Sequence, residues 1–163
     1  MIDWIYEKKE KDMTIARMLF VMVVMVGLSQ VAKSQEPSQR DRLRLAVQAI
    51  CPVSGDKLGE HGLPIKVKVG KEEVFLCCKG CLQGKVDAKH WATIHTNFSR
   101  AQGKCPVMNN PLPKNPKSTI VEGQIIYVCC PPCTQKIAAD PIGYLRKMDE
   151  LYTTSLQARR DAP

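Results

Sequence analysis

Val74-Phe75-Leu76-Cys77-Cys78-Lys79-Gly80-Cys81 is the stretch that decides how this chain is read, because it returns as Ile126-Tyr127-Val128-Cys129-Cys130-Pro131-Pro132-Cys133. Each cluster places three cysteines within five residues, and each is preceded by one more cysteine in a Cys-Pro-Val tripeptide, Cys51-Pro52-Val53 and Cys105-Pro106-Val107. The intervals are 26 residues from Cys51 to Cys77 and 24 from Cys105 to Cys129, so all 8 cysteines fall into two groups of four in matching register. That register implies a duplicated module of about fifty residues.

The residues between the cysteines predict a hairpin in each module. Ile65-Lys66-Val67-Lys68-Val69 alternates strictly, Gly70-Lys71 can turn, and Glu73 to Cys77 returns as an apolar strand. In the second module the expected strands are Ser118 to Val121 and Gln124 to Cys129, with Gly123 at the turn. Pro131-Pro132 sits where a helix begins, since proline is tolerated in a first turn. A cluster at a strand end and helix start meets free backbone N–H groups and the positive end of the helix dipole, which favour thiolate over thiol. Two helices are expected ahead of the cysteines: Arg42 to Ile50, with Leu43, Val47 and Ile50 on one face, and Trp91 to Gly103, with Ile94, Phe98 and Ala101 on one face. Trp91, Phe98, Tyr144, Leu145 and Leu151 are expected in the cores that close each hairpin on its helix.

Units this small need a staple, and eight cysteines can supply metal or disulfides. A cysteine before a hairpin and a cluster after it is the arrangement of a small thiolate metal site. Cys78 with Cys81 and Cys130 with Cys133 are C-x-x-C pairs; Cys77 with Cys81 and Cys129 with Cys133 are C-x-x-x-C pairs; spacing does not choose between them. A disulfide framework is the alternative, opposed by the strain of bridging adjacent cysteines. A thioredoxin-like dithiol is a third reading, but no βαβ pattern surrounds either C-x-x-C. The three histidines, His61, His90 and His95, all fall in the first module, so a ligand set shared by both cannot include histidine.

Met18 to Leu28 is an unbroken apolar run after Arg17, of signal-peptide length, and Ala32-Lys33-Ser34 offers a cleavage site. The expected organisation is therefore a signal peptide over 1–34 or an uncleaved anchor over 15–31, a linker and lead-in helix over 35–50, a first module over 51–101, a second over 102–152, and a C-terminal tail over 153–163. Export to a periplasm or cell envelope makes the formal charge of +8 a matter of solubility, and no nucleic-acid partner is expected. No Ser-His-Asp set, phosphate-binding loop, dinucleotide fingerprint or H-E-x-x-H motif occurs, so no enzyme activity is expected.

The order Cys-Pro-Val, hairpin, aromatic-bearing strand, C-x-x-x-C and helix resembles the YHS and TRASH families of small cysteine-rich, heavy-metal-binding domains. The likeness runs from Cys105 to Leu151, where Cys129-x-x-x-Cys133, Ile137 and Asp140-Pro141-x-x-Tyr144-Leu145 look like the family ending. In the first module Asp87-Ala88 stands for Asp-Pro, and the Tyr-His-Ser tripeptide is absent from the chain. The resemblance implies a small α+β fold of two tandem treble-clef, zinc-finger-like modules, each a β-hairpin followed by a helix. It also implies ligation of a soft metal by Cys105, Cys129 and Cys133, and by symmetry by Cys51, Cys77 and Cys81. Cys78 and Cys130 are additions to that pattern, as fourth ligands or spare thiols. The expected cofactor is zinc or copper(I), one ion per module, and the expected partner a membrane or periplasmic metal-handling protein. A zinc-stabilised interaction module is the competing class.

Overall fold

The computed structural model describes residues 37–162, which form a small α+β fold; the signal or anchor segment lies outside the described residues. Helix α1 spans Gln39–Gln48, the first hairpin pairs β1 (Ile65–Val69) with β2 (Glu72–Leu76), and a 3-10 turn follows at Lys79–Gln83. Helix α2 (Ala88–Gln102) leads to the second hairpin, β3 (Lys117–Val121) with β4 (Gln124–Val128), and then to α3 (Pro132–Ala139) and the 21-residue α4 (Pro141–Asp161). Each hairpin is a separate two-stranded antiparallel sheet followed by helical structure. Both β2 and β4 stop one residue short of the first cysteine of their cluster.

The helices start and stop where local chemistry dictates. Asp87 caps α2 by accepting hydrogen bonds from the Lys89 and His90 N–H groups, and Gly103 ends it at φ 63°. Asp140 caps α4 through the Gly143 N–H, and Pro141 takes the first turn, where its missing N–H costs nothing. Although α4 is long, no helix among the described residues is long and apolar enough to cross a membrane.

The main core gathers Val47 of α1, Ile94 and Phe98 of α2, all of Ile125–Val128, Ile137 of α3, and Leu145, Met148 and Tyr152 of α4. Ile94, Phe98 and Ala101 are buried on one face of α2 as their spacing predicts. On α1 the buried face lies over Arg44, Val47 and Gln48 while Leu43 is half-buried, and the helix ends at Gln48, before the half-buried Ile50, so the expected apolar stripe is displaced by two polar residues. Arg44 is accepted there because its guanidinium donates to the Glu73 carbonyl, stands 3.6 Å from the Glu73 carboxylate and covers the Phe75 ring at 5.7 Å. Phe98 and Leu145 are core residues as expected; Trp91, Tyr144 and Leu151 are only half-buried.

The two hairpins touch at a glycine. Glu122 and Gly123, both at positive φ, make the two-residue turn between β3 and β4, and the Gly123 carbonyl accepts the Glu73 N–H of β2 at 2.7 Å. A β-carbon on Gly123 would stand 2.4 Å from Glu73 Cγ. Gly123→Ala therefore strains both the turn and the contact between hairpins, and is expected to cost about 1–3 kcal/mol. Chemical denaturation checks this, and an unchanged midpoint would show that the hairpins do not depend on each other here.

Candidate metal centre

Each centre is assembled from a knuckle after a helix and a turn after a hairpin. In the first, Cys51 ends the chain reversal after α1: its N–H bonds the Asp56 carbonyl at 2.8 Å and its carbonyl accepts the Gly55 N–H at 3.0 Å. In the second, the Cys105 N–H bonds the Asn110 carbonyl at 2.8 Å and its carbonyl accepts the Asn109 N–H at 2.8 Å. Gly55 (φ 80°) and Asn109 (φ 57°) hold the same left-handed position, but only glycine fits the first site, where a β-carbon would lie 2.6 Å from the His90 ring. In the turns, the Cys81 N–H bonds the Cys78 carbonyl at 3.3 Å and the Cys133 N–H bonds the Cys130 carbonyl at 3.2 Å.

Knuckle and turn converge. The sulfurs of Cys51, Cys77 and Cys81 all lie within 4.8 Å of one another, and so do those of Cys105, Cys129 and Cys133. The adjacent cysteine of each pair stands beside the group. Cys78 Sγ is 3.9 Å from Cys77 and 4.0 Å from Cys81, and Cys130 Sγ is 3.8 Å from Cys129 and 3.3 Å from Cys133. Cys77 and Cys81 are 3.6 Å apart, and Cys129 and Cys133 3.9 Å. Sulfurs held tetrahedrally at about 2.3 Å from one ion stand about 3.8 Å apart, close to these separations; Cys78 and Cys130 lie outside the two sets in which every sulfur is within 4.8 Å of every other. All eight cysteines are free thiols. Each group could hold one metal ion.

Two residues that composition and spacing did not single out draw the halves of each centre together. Gln48 is fully buried three residues before Cys51; its carboxamide accepts the Phe75 N–H at 2.9 Å and donates to the carbonyls of Phe75 at 2.7 Å and Ile50 at 2.9 Å. Gln102 does the same three residues before Cys105, accepting from the Tyr127 N–H at 2.9 Å and donating to the carbonyls of Tyr127 at 2.6 Å and Lys104 at 2.8 Å. Phe75 and Tyr127 each stand two residues before the first cysteine of their cluster. The sequence carried a signal for this clamp, since Gln48-x-x-Cys51-Pro-Val and Gln102-x-x-Cys105-Pro-Val repeat together.

The electrostatics divide the thiols. Burial alone would push the Cys51 thiol up, but the N–H groups of Ser54 and Cys77 reach its sulfur and bring it down to about 6. Burial likewise opposes ionisation of Cys105, and the N–H groups of Cys129, Met108 and Val107 outweigh it, to about 7. Cys81 and Cys133 go the other way, each pushed up to about 12 by burial first and by the neighbouring sulfurs next. Cys77 and Cys129 are raised as well, again mainly by burial. One thiolate near neutral pH is therefore surrounded by thiols whose ionisation it opposes, a conflict that a cation between them removes.

The histidines stand outside both sulfur groups. His95 of α2 joins the modules instead, with Nδ1 3.0 Å from the Tyr127 hydroxyl and Nε2 3.2 Å from the Glu72 carboxylate. His90 packs on the first knuckle at Gly55, and His61 stands 3.6 Å from Asp56 on the exposed loop. The knuckles differ again one residue earlier: Ser54 places its hydroxyl 3.4 Å from Cys77 Sγ, and the second knuckle carries Met108 at that position.

Gln102→Leu strands three backbone partners and is expected to cost about 3 kcal/mol or more. Gln102→Glu keeps the shape but has no N–H to donate to the carbonyls of Tyr127 and Lys104, so a large loss is expected there too. Denaturant midpoints measure both, and a variant within about 0.5 kcal/mol of the parent would show the clamp to be dispensable. Set beside known protein families, curated proteins and solved structures, the chain matches none of them.

Proposed function

We propose that this is an exported protein that binds soft metal ions through cysteine thiolates, one ion per module, and serves in metal trafficking or sequestration. The observation that carries the reading is the pair of equivalent sulfur groups, each drawn from a knuckle and a turn far apart in sequence, each with a fourth thiol beside it. Cys51, Cys77 and Cys81 hold one ion and Cys105, Cys129 and Cys133 the other, with Cys78 and Cys130 completing a four-sulfur shell for zinc or left free around copper(I). A treble-clef relationship of the modules and membership of the YHS and TRASH families belong to the same proposal, resting on the Cys-Pro-Val and C-x-x-x-C spacing. Export rests on the apolar run from Met18 to Leu28, and the partner that fits is a membrane or periplasmic protein that gives or takes the ion. The competing reading, zinc as a purely structural staple, is favoured at the second centre by the place of Cys105 and Cys133 in the main core.

Metal quantification with thiol counting tests the proposal. The reduced parent is expected to carry two ions per chain, one for each sulfur group. Cys133→Ser should retain one, and Cys130→Ser should keep both with weaker affinity. Fewer than one ion per chain, or all eight cysteines paired as disulfides in the native protein, would rule the metal reading out.

Loading is expected to release protons. At about pH 7.5 Cys51 and Cys105 are already largely ionised, whereas Cys77, Cys81, Cys129 and Cys133 lie above their ordinary value and must each lose a proton to ligate. Each ion should thus displace about two protons or more, and affinity should rise with pH and fall in acid. A zinc titration in weakly buffered solution with an indicator dye reads this directly. Uptake without proton release would place the ion away from the thiols.

A further inference from the structure

The two centres share ligand geometry but stand in unlike surroundings, and their difference carries a division of labour. The main core incorporates the second centre: Cys105 and Cys133 are buried among Ile126, Val128, Ile137 and Leu145. The first centre has a separate small cluster whose buried members are Cys51, Leu76, Cys77 and Cys81, so three of the four are the ligands themselves.

The segments that carry the last cysteine differ in the same sense. Cys133 lies on α3 together with Ile137, which is fully buried one turn later, and α3 runs into the capped start of α4. Lys147 of α4 adds a 3.4 Å hydrogen bond to the Pro106 carbonyl of the second knuckle. Cys81 lies on the 3-10 turn Lys79–Gln83, where it is the sole buried residue. Beyond it residues 82–89 are all exposed, Leu82 to 53% and Val86 to 38%. That stretch runs into the Asp87-capped start of α2, and short of that helix it is tied by the Asp87 N–H to the Pro52 carbonyl at 2.9 Å and by Gly84 against Val53, contacts to the first centre's own knuckle. Sulfur exposure is not the distinction, because Cys77 is more buried than Cys129. The distinction is what else must move when a ligand lets go.

Resting on the metal-binding reading above, we infer that the first centre is the exchange site, which yields its ion to an incoming thiolate or chelating ligand, and that the second centre is the structural site. At the first centre, swinging Cys81 away opens a turn with no apolar anchor and leaves the helical core intact. At the second, releasing Cys133 withdraws Ile137 from the core. Burial of one such side chain shifts an opening equilibrium about ten- to a hundredfold. The exchange is a ligand substitution: the ion leaves with its charge unchanged, and the vacated thiolates take up protons from solvent.

The test uses the reduced full chain loaded with two equivalents of zinc, challenged with excess 4-(2-pyridylazo)resorcinol while metal release and far-UV circular dichroism are recorded. The expected result is two phases of equal amplitude differing at least about tenfold in rate, the helical signal surviving the first and falling with the second. Cys81→Ser should remove the fast phase and keep the slow one. Ile137→Ala should speed the slow phase about tenfold or more and leave the fast phase unchanged. Release of both ions in one phase, a fast phase that persists in Cys81→Ser, or a slow phase indifferent to Ile137→Ala would overturn the assignment while leaving the metal reading in place. Loading below one ion per chain would overturn both.

Discussion

Each cysteine group depends on one buried carboxamide. Cys51 and Cys77 come from a helix end and a strand end 26 residues apart, and their sulfurs meet because Gln48 binds the knuckle and the strand at once. A buried amide without partners costs several kcal/mol, so Gln48 and Gln102 are tolerated only in the one register in which the N–H and C=O of Phe75 or Tyr127 face them. The clamp thereby sets position as well as stability. It acts through protein groups alone and so draws the halves of each centre together without an ion, which would limit the ordering that metal binding must supply.

Identical clamps sit in different bodies, because the modules interlock rather than repeat side by side. Helix α2 follows the first centre and leads into the second, offering Ile94 and Phe98 to the main core and His95 to both Glu72 and Tyr127. The Glu73 backbone N–H reaches the second hairpin at Gly123, while Arg44 of α1 binds the Glu73 carbonyl and carboxylate. The second module also gains α4, whose Leu145, Met148 and Tyr152 enlarge its core. A repeated cysteine pattern has thus become an unequal pair, one centre packed into the main apolar core and the other into a small cluster of its own.

Much of this was legible in the residues. The cysteine register predicted the two groups, the alternation of Ile65 to Val69 predicted a hairpin, and Gly103 marked the end of α2. These signals are local: period-two alternation, a helix-ending glycine and a repeated spacing each depend on a few neighbouring residues. Reading α1 by its apolar positions put Leu43, Val47 and Ile50 inward, because periodicity counts hydrophobicity and cannot see that Arg44 and Gln48 will find partners on β2. Those partners are 27 to 29 residues away along the chain.

By itself, then, the sequence determined the hairpins and the two cysteine groups, the first from short-range alternation and the second from a repeated spacing. The set Cys51, Cys77 and Cys81 was expected from the family resemblance and is the one brought together; tertiary structure alone decided that Cys78 flanks it and that His95 links the modules instead of joining a sulfur group. It also decided that Cys81 is held by a 3-10 turn, and that the helix expected from Pro131-Pro132, which carries Cys133, is anchored in the core through Ile137. Such differences arise from which surfaces are left over when α1, α2 and α4 pack, and two nearly equal repeats do not record in their own residues which of them the remaining helix will cover.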